Sequence, residues 1–278
     1  MSLRILRTGP LVVLKDAGRP GHAHQGVPPS GAVDRGAFAR ANALVGNPPG
    51  TAVLECTLGG LRVSFDEPTT IALTGTDAAL IVGGTPIALE TATEVHAGAT
   101  VTVSMPKRGL RSYLAVRGGF GVPEVLGSRS TDRIAGIGPA KPAAGDVLPI
   151  GPLEAVTSPV PALPADGPLE VDLGPRDDWF TAAAVKTFLS AAFTVTPASD
   201  SVGLRLDGPA LPWARTGELP SEGVVRGAVQ VPPDGKPIVF QADHPVTGGY
   251  PVIAVLTPEA ADRAAQARPG ATLRFVAG

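Results

Sequence analysis

Short apolar runs that alternate with polar positions recur along the whole chain. Runs of Val, Ile, Leu and Thr between Gly and Pro turns are typical of strands. The first half has such runs at Leu11–Leu14, Leu61–Phe65, Thr70–Leu73, Ala79–Val82, Thr100–Ser104 and Ser112–Arg117. The second half has them at Leu169–Leu173, Gly203–Leu206, Gly227–Val231, Ile238–Ala242, Val252–Leu256 and Thr272–Val276. This pattern predicts an all-β fold, with hairpin turns at Gly83-Gly84 and Asp234-Gly235.

Three segments have helical spacing instead. Their predicted N-termini carry capping residues, namely Asp34, Asp177 or Asp178, and Thr257-Pro258-Glu259. The first helix is expected to bury Phe38, Ala41 and Leu44 or Val45, the second Phe180, Ala184 and Phe188, and the third to run over Ala260–Ala267. We therefore expect two β lobes with a few short helices.

A linker is predicted between the two lobes. The segment from Gly151 to Pro168 contains five prolines and has no hydrophobic period. We place the first lobe at residues 1–155, with a Pro-Ser-Gly-x-x-Asp loop. The second lobe, at 156–278, carries an Asp-x-x-x-Thr-Gly-Gly-Tyr-Pro loop.

Composition excludes several classes of function. A net charge of −2 over 278 residues, with no basic stripe, argues against nucleic acid as a partner. No apolar stretch approaches the ~20 residues of a membrane helix, and the N-terminus does not resemble a signal peptide. The single cysteine, Cys56, cannot form an internal disulfide. We expect a cytoplasmic protein without a membrane partner.

The first lobe offers polar residues in Gly- and Pro-rich turns. Asp16 and Arg19 are spaced to form an ion pair, and His24 could exchange protons near neutral pH. His22-x-His24 lacks a third ligand, so no metal site is expected. Ser30 and Asp34 lie in a loop fixed by Pro and Gly, where Asp34 either does chemistry or only caps the following helix.

Two further polar clusters follow. Gly127–Asp132, with Arg129, offers backbone and side-chain donors to a phosphate or carboxylate, or is only a hydrogen-bonded turn; it is not a Walker loop. In the second lobe, Asp243 ends an apolar strand and is a candidate general base or ligand anchor, with an Asx turn as the alternative. The remaining candidates of that cluster are Gln230, Thr247 and Tyr250.

Four ordered motifs resemble one family. They are Asp16-x-Gly-Arg-Pro-Gly with Gly-Val-Pro-Pro-Ser-Gly-Ala-Val-Asp, Leu-Glu55-Cys-Thr-Leu-Gly-Gly, Arg-Gly-Gly with Leu-Gly-Ser-Arg-Ser-Thr-Asp, and Gln-Val-Pro-Pro-Asp-Gly with Thr-Gly-Gly-Tyr-Pro. The chain is similar to the allophanate hydrolase subunit 2, or KipA, family. That family also supplies the C subunit of ATP-dependent 5-oxoprolinase and is related to the carboxyltransferase domain of urea carboxylase.

The resemblance implies a cyclophilin-like β-barrel and a function in a complex. Partners would be a KipI-type (allophanate hydrolase subunit 1) protein and a LamB/YcsF-type subunit, and the reaction would be ATP-driven opening of 5-oxoproline to glutamate. ATP would be shared with the partners, Mg²⁺ is a candidate metal, and biotin is not expected on this chain. The expected catalytic residues are Asp16, Ser30, Asp34, Asp243 and Tyr250. The expected substrate-binding residues are Arg19, His24, Arg129, Gln230 and Thr247.

The chain departs from the family pattern at three places. Lys15 replaces a Gln, His244-Pro245-Val246 replaces Arg-Gln-Thr, and Val252 replaces a Lys. Two cations near Asp243 are thereby lost, so the substrate stays open. The alternatives are carboxyl transfer to urea or a related amide, and a non-catalytic subunit that binds a KipI-type kinase inhibitor.

Overall fold

A computed structural model describes residues 1–152 and 155–278. The chain described is 32% strand and 12% helix, which confirms the mostly β prediction. It divides into two units, Met1–Arg19 with Ser30–Leu163, and Pro20–Pro29 with Pro164–Gly278. The division predicted from the sequence assigns residues 20–29 to the first lobe, whereas the structure groups them with the second unit. The predicted linker, 151–168, includes residues 153 and 154, which lie outside the described residues.

The first unit is built from two antiparallel sheets and one helix. Its strands are β1 (Ser2–Arg7), β2 (Leu11–Lys15), β3 (Val53–Thr57), β4 (Arg62–Phe65), β5 (Thr69–Thr74), β6 (Leu80–Val82), β7 (Thr85–Ile87), β8 (Thr93–Val95), β9 (Thr100–Val103), β10 (Arg111–Val116) and β11 (Val147–Pro149), and its helix is α1 (Arg35–Val45). One sheet has the order β11-β1-β4-β9-β6-β7 and the other β2-β3-β10-β5-β8. The predicted hairpin at Gly83-Gly84 joins β6 to β7, with positive φ at both glycines.

The five-stranded sheet buries both of its faces. Leu54 and Cys56 of β3 belong to an apolar core that also contains residues of the six-stranded sheet. Val53 and Tyr113 belong to a second core together with the buried side chains of α1. Alternate residues of a strand point to opposite faces. Glu55 therefore lies on the α1 face, and the register places Tyr113 of β10 directly opposite it.

Helix α1 begins where the sequence predicts. Asp34 is the N-cap, and its Oδ1 accepts the N–H of Ala37 at 2.8 Å. Phe38, Ala41 and Val45 are buried, and the helix ends at Gly46 in the left-handed conformation. The cap and the apolar spacing together set the position of the Ser30–Asp34 loop just before the helix.

The second unit is a nearly closed barrel with two α-helices. Its strands are β12 (Leu169–Leu173), β13 (Phe193–Val195), β14 (Gly203–Asp207), β15 (Glu222–Gly223), β16 (Ala228–Gln230), β17 (Ile238–Phe240), β18 (Thr247–Gly248), β19 (Val252–Leu256), β20 (Thr272–Leu273) and β21 (Phe275–Ala277), and its helices are α2 (Ala182–Ser190) and α3 (Pro258–Ala265). The main sheet has the order β20-β13-β14-β17-β16-β19-β12-β21, and β15 pairs with β18 separately. Only Arg274 separates the two edge strands β20 and β21 in sequence, so the edges meet.

Helix α2 packs beside the barrel through aromatic contacts. The ring of Phe188 stacks on Phe275 of β21 with centroids 4.5 Å apart, and Phe193 lies against both rings. Over residues 1–152 and 155–278, no helix combines the length and the apolarity needed to cross a membrane.

Two predicted elements differ from the structure. Helix α2 begins after Thr181, whose Oγ1 accepts the N–H of Ala184, whereas Asp177 and Asp178 lie in a short 3-10 helix. The strand predicted at Thr272–Val276 is interrupted at Arg274, where the chain changes from pairing with β13 to pairing with β12. Some strands were also not predicted from the sequence, namely β1, β3, β7, β8, β11, β13, β15 and β18.

Candidate functional site

Asp16 holds a serine-rich loop against the end of β2. Its Oδ1 accepts hydrogen bonds from Ser128 Oγ at 2.7 Å, Ser130 Oγ at 2.6 Å and the Gly18 N–H at 2.8 Å. Its Oδ2 accepts the N–H of Arg129 at 2.5 Å. Four donors therefore occupy one buried carboxylate. These contacts give Asp16 a positioning role in the first unit, and its catalytic assignment stays a prediction.

Arg19 is a buried cation without a carboxylate partner. Its side chain is 1% exposed. Its Nη2 donates to the Ser130 carbonyl, its Nε lies 3.4 Å from the Val125 carbonyl, and its Nη1 has no acceptor. The predicted ion pair with Asp16 is wrong, because Asp16 uses its oxygens to hold the serine-rich loop. Nη1 is thus a buried donor that an anionic or carbonyl ligand could satisfy.

Two other residues of this cluster stabilise its loops. Arg129 donates from Nε to the Val122 carbonyl at 2.8 Å and pairs through Nη1 with Glu124 at 2.7 Å. Asp132, which is buried, accepts the N–H groups of Ile134 and Ala135 on Oδ1, and its Oδ2 has no partner. Much of the polar capacity predicted for ligand binding is therefore used within the loop.

The loop before α1 has an unusual backbone. Ser30 is fully buried and has φ of +53°, and Gly31 follows with φ of +99°. A positive φ at a non-glycine residue is strained and is maintained only by surrounding structure. Lys15 Nζ, also buried, lies 3.3 Å from Ser30 Oγ. The Lys15 departure from the family pattern thus places an amino group beside a predicted catalytic hydroxyl.

A buried Glu–Tyr pair fixes the same loop from the sheet below. Glu55 Oε2 accepts the Val33 N–H at 3.1 Å and the Tyr113 hydroxyl at 2.8 Å. The Tyr113 oxygen in turn accepts the Asp34 N–H at 2.8 Å. Burial, together with the charges of Glu55 and Asp34, raises the pKa of Tyr113 well above its ordinary value, so the phenol stays neutral and donates.

In the second unit, the residues near the start of β19 form one group. Gln230 ends β16, is buried, and donates from Nε2 to the Tyr250 carbonyl at 2.9 Å. Gly248 packs so closely on this amide that a Cβ there would lie 2.5 Å from Gln230 Nε2. Thr247 pairs with Gly223 in the small β15–β18 ribbon and is exposed. Gln230 thereby holds the Thr-Gly-Gly-Tyr loop through its backbone.

Asp243 follows the end of β17 that is away from Gln230. Gln230 is opposite both Ile238 and Val252, whereas Asp243 comes after the other end of β17. Its N–H donates to the Ser201 carbonyl at 2.9 Å, and the residue is buried. The next residue, His244, is buried too, with Nδ1 2.7 Å from the Pro245 carbonyl. Strand positions therefore place Asp243 beyond the opposite end of β17 from the residue that pairs with Gln230.

His24 lies in a short exposed 3-10 helix, Ala23–Gln25. Its Nδ1 is 3.1 Å from the Gly21 carbonyl and its Nε2 is 3.2 Å from the Gln25 amide. In the part of the chain that the structure describes, no group of three or more His, Cys, Asp or Glu residues is placed to hold a metal ion. The substrate-binding assignment of His24 stays a prediction.

Sequence reasoning gave no role in the site to Lys15, Tyr113 or Gln241. Tyr113 and Glu55 are 58 positions apart, and only the β3–β10 register brings them together. The available signal was a glutamate within an otherwise apolar run, since charged residues are almost never fully buried unless paired. For Gln241 the signal was similar, an amide directly after the apolar strand β17.

These features define a class, a mostly β domain with one barrel unit and polar loops anchored by buried carboxylates. The chain belongs to the carboxyltransferase domain, subdomain A and B, family, whose model matches residues 25–277. This confirms the resemblance inferred from the motifs.

Named relatives fall into two groups. The chain is 36% identical to the Escherichia coli protein named as the C subunit of 5-oxoprolinase, over 99% of this chain and 90% of that protein. It is 31% identical to the Haemophilus influenzae protein of the same name, over 95% of this chain and 87% of that protein. The crystal structure of the K. lactis urea amidolyase matches with a TM-score of 0.93 and 30% identity, over 99% of this chain but 18% of that chain.

Proposed function

We propose that this protein is the C subunit of an ATP-dependent 5-oxoprolinase and acts in the cytoplasm. In the complex, 5-oxoproline, ATP and water would give glutamate, ADP and phosphate. The observation that carries the proposal is the 36% identity to the E. coli C subunit across 90% of that protein's length. The urea amidolyase match covers a small part of a much longer chain.

The chemical problem is the poor reactivity of a lactam carbonyl. Transfer of a phosphoryl group from ATP to the lactam oxygen would create a good leaving group, and water could then attack the ring carbon. Donors aimed at the developing negative charge would stabilise the transition state. The unpartnered Nη1 of Arg19 suits an oxygen of a carboxylate or phosphate, because a buried cation gains most from an anionic partner.

The residues divide by the use of their polar atoms. Asp16 and Asp34 hold loops through the hydrogen bonds described above, and Ser30 is placed beside an amino group. Asp243 is the candidate general base or orienting group, since a carboxylate at the end of a buried strand is held rigidly. Tyr250 is exposed, and its phenol is accessible to a ligand.

Partner subunits complete the proposed enzyme. A KipI-type protein and a LamB/YcsF-type subunit are the proposed partners, and ATP with its Mg²⁺ would be bound with their participation. This part of the proposal is supported by the similarity to two bacterial proteins that are each named as one subunit of 5-oxoprolinase. Biotin, where a related reaction needs it, would arrive on another chain.

Carboxyl transfer to urea or a related amide is the second candidate. It is favoured by the structural likeness to the K. lactis urea amidolyase. Both reactions start from a small amide, so they differ in the co-substrate, ATP in one case and carboxybiotin in the other. A third role, as a non-catalytic subunit that binds a KipI-type kinase inhibitor, needs no amide substrate.

Reconstitution distinguishes these roles. The chain would be purified with the KipI-type and LamB/YcsF-type proteins of the same organism, and release of glutamate and phosphate from 5-oxoproline and ATP would be measured with each subunit omitted in turn. We expect turnover only with all subunits present. Full turnover by the chain alone would refute the proposed division of labour. Consumption of carboxybiotin with urea, but no glutamate release, would favour carboxyl transfer.

A further inference from the structure

Gln241 is a buried amide with no hydrogen-bond partner. It follows β17 directly and is 1% exposed. Neither its Nε2 nor its Oε1 has a partner. Among the residues that the structure describes, it is the only side chain with two buried polar atoms that lack a partner. Each such group costs free energy unless something binds to it.

The strand register places this amide at the barrel core. The N–H of Gln241 donates to the Val202 carbonyl at 2.8 Å, which continues the antiparallel pairing of Gly203 with Phe240. Residues two apart on a strand share a face. Gln241 therefore lies on the same side as Val239, which belongs to the apolar core of the barrel.

Packing does not explain a glutamine at this position. A methionine has nearly the same length and flexibility and would fill the space without a desolvated amide. Downstream, Asp243 and His244 are each 4% exposed, so three buried polar side chains lie within four residues at the end of one apolar strand. Such a concentration of buried polar groups is typical of a binding site on a rigid scaffold.

The chemistry of a primary amide indicates the ligand. Its carbonyl and N–H lie side by side, so it can make two parallel hydrogen bonds to a group that presents the same pair in the opposite order. Lactams, ureas and primary amides present this cis-amide edge. We infer that Gln241 is a specificity-determining residue that binds the cis-amide edge of a small ligand, accepting its N–H on Oε1 and donating from Nε2 to its carbonyl. The choice of a lactam as probe rests on the proposed function.

The test uses two ligands and two variants of the full chain. Binding of 5-oxoproline and of its N-methyl derivative, which lacks the lactam N–H, would be measured by calorimetry for wild type, Gln241→Met and Gln266→Met. Gln266 directly follows α3, so Gln266→Met is a control that makes the same substitution away from β17. Thermal unfolding of each variant checks that the fold is intact.

We expect wild type and Gln266→Met to bind 5-oxoproline about 10-fold or more tightly than the N-methyl ligand. Gln241→Met should lose a similar factor for 5-oxoproline and bind the two ligands about equally. Unchanged affinity and discrimination in Gln241→Met would overturn the inference and leave a structural water as the partner of the amide. Absence of lactam binding by wild type would overturn it as well.

The assay also separates this inference from the proposed function. In the reconstituted complex, a higher KM at similar kcat for Gln241→Met would support the specificity role. If the complex fails to hydrolyse 5-oxoproline but the chain still distinguishes the two ligands through Gln241, the result supports the binding site and refutes the proposed reaction. If hydrolysis proceeds and Gln241→Met has the wild-type KM, the result refutes the role of Gln241 in specificity and supports the proposed reaction.

Discussion

The hydroxyl of Tyr113 connects the five-stranded sheet to the loop that begins α1, and its removal should be costly. In Tyr113→Phe the ring stays, so packing in the α1 core is kept. Two hydrogen bonds are lost, the donation to Glu55 at 2.8 Å and the acceptance of the Asp34 N–H at 2.8 Å. The first involves a carboxylate, and the second leaves a buried backbone N–H without a partner.

The magnitude follows from these two losses. A buried donor left unsatisfied costs about 1–3 kcal/mol, and a hydrogen bond to a charged group contributes about 1.5–3 kcal/mol. Glu55 keeps the Val33 N–H and lies 3.8 Å from the Arg111 guanidinium, so part of the loss at Glu55 is offset. We expect the free energy of unfolding of the first unit to fall by roughly 2–4 kcal/mol, which is about 5–15 °C in Tm for a unit of this size.

The matched control is the other tyrosine of the chain. Tyr250 is 44% exposed, so Tyr250→Phe should change the free energy of unfolding by less than about 0.5 kcal/mol. Urea and thermal unfolding of both variants would be compared with wild type. A Tyr113→Phe protein as stable as Tyr250→Phe would refute the view that this hydroxyl holds the loop.

Other predictions concern buried groups in both units. If the carboxylate of Asp243 takes a proton, Asp243→Asn should lower turnover of the reconstituted complex by roughly 100-fold with an unchanged Tm. Near-wild-type turnover would show that Asp243 only forms a turn. Phosphate should raise the Tm of wild type but not of Arg19→Met, because Nη1 lacks an acceptor; equal shifts would exclude Arg19 as the binding group. Burial raises the pKa of the Cys56 thiol, so a thiol reagent should modify it only on unfolding; rapid native labelling would contradict this. The Tyr250→Phe variant leaves Tyr113 as the only tyrosine. Its raised pKa should keep the phenol protonated in the folded state above pH ~10, where the unfolded phenol ionises, so the free energy of unfolding should fall as the pH rises further. Phenolate absorbance that appears before unfolding would contradict this.

Local sequence signals predicted the elements that local chemistry controls. The alternating run Leu169–Leu173 and the continuous apolar run Val252–Leu256 predicted both strands with the observed bounds, and Asp34 caps α1 as its residue type favours. The predicted start of α2 was wrong because two acidic residues and Thr181 are all acceptable N-cap residues. The structure shows that Asp177 and Asp178 lie in a 3-10 helix instead.

Long-range pairing was beyond the reach of sequence patterns. Residues such as Glu55 and Tyr113 meet only through the order of strands in a sheet, and no periodicity encodes that order. The predicted pair of Asp16 and Arg19 failed for the same reason, since the preferred partners of Asp16 are more than 100 positions away. Spacing shows which residues are polar in an apolar setting, but the register decides which of them meet.

The distinction between satisfied and unsatisfied groups indicates where binding capacity remains. Asp16 and Glu55 are buried carboxylates whose described contacts are filled by the protein itself, so their removal should first disturb loop geometry. Arg19 Nη1 and the Gln241 amide are buried without partners, and the protein bears the free-energy cost of each in the unliganded state. A ligand that supplies the missing partner regains that free energy on binding, whereas a ligand that lacks it leaves the group unsatisfied. Discrimination between amides by this chain should therefore depend more on these unpartnered donors and acceptors than on the carboxylates that the sequence motifs make most conspicuous.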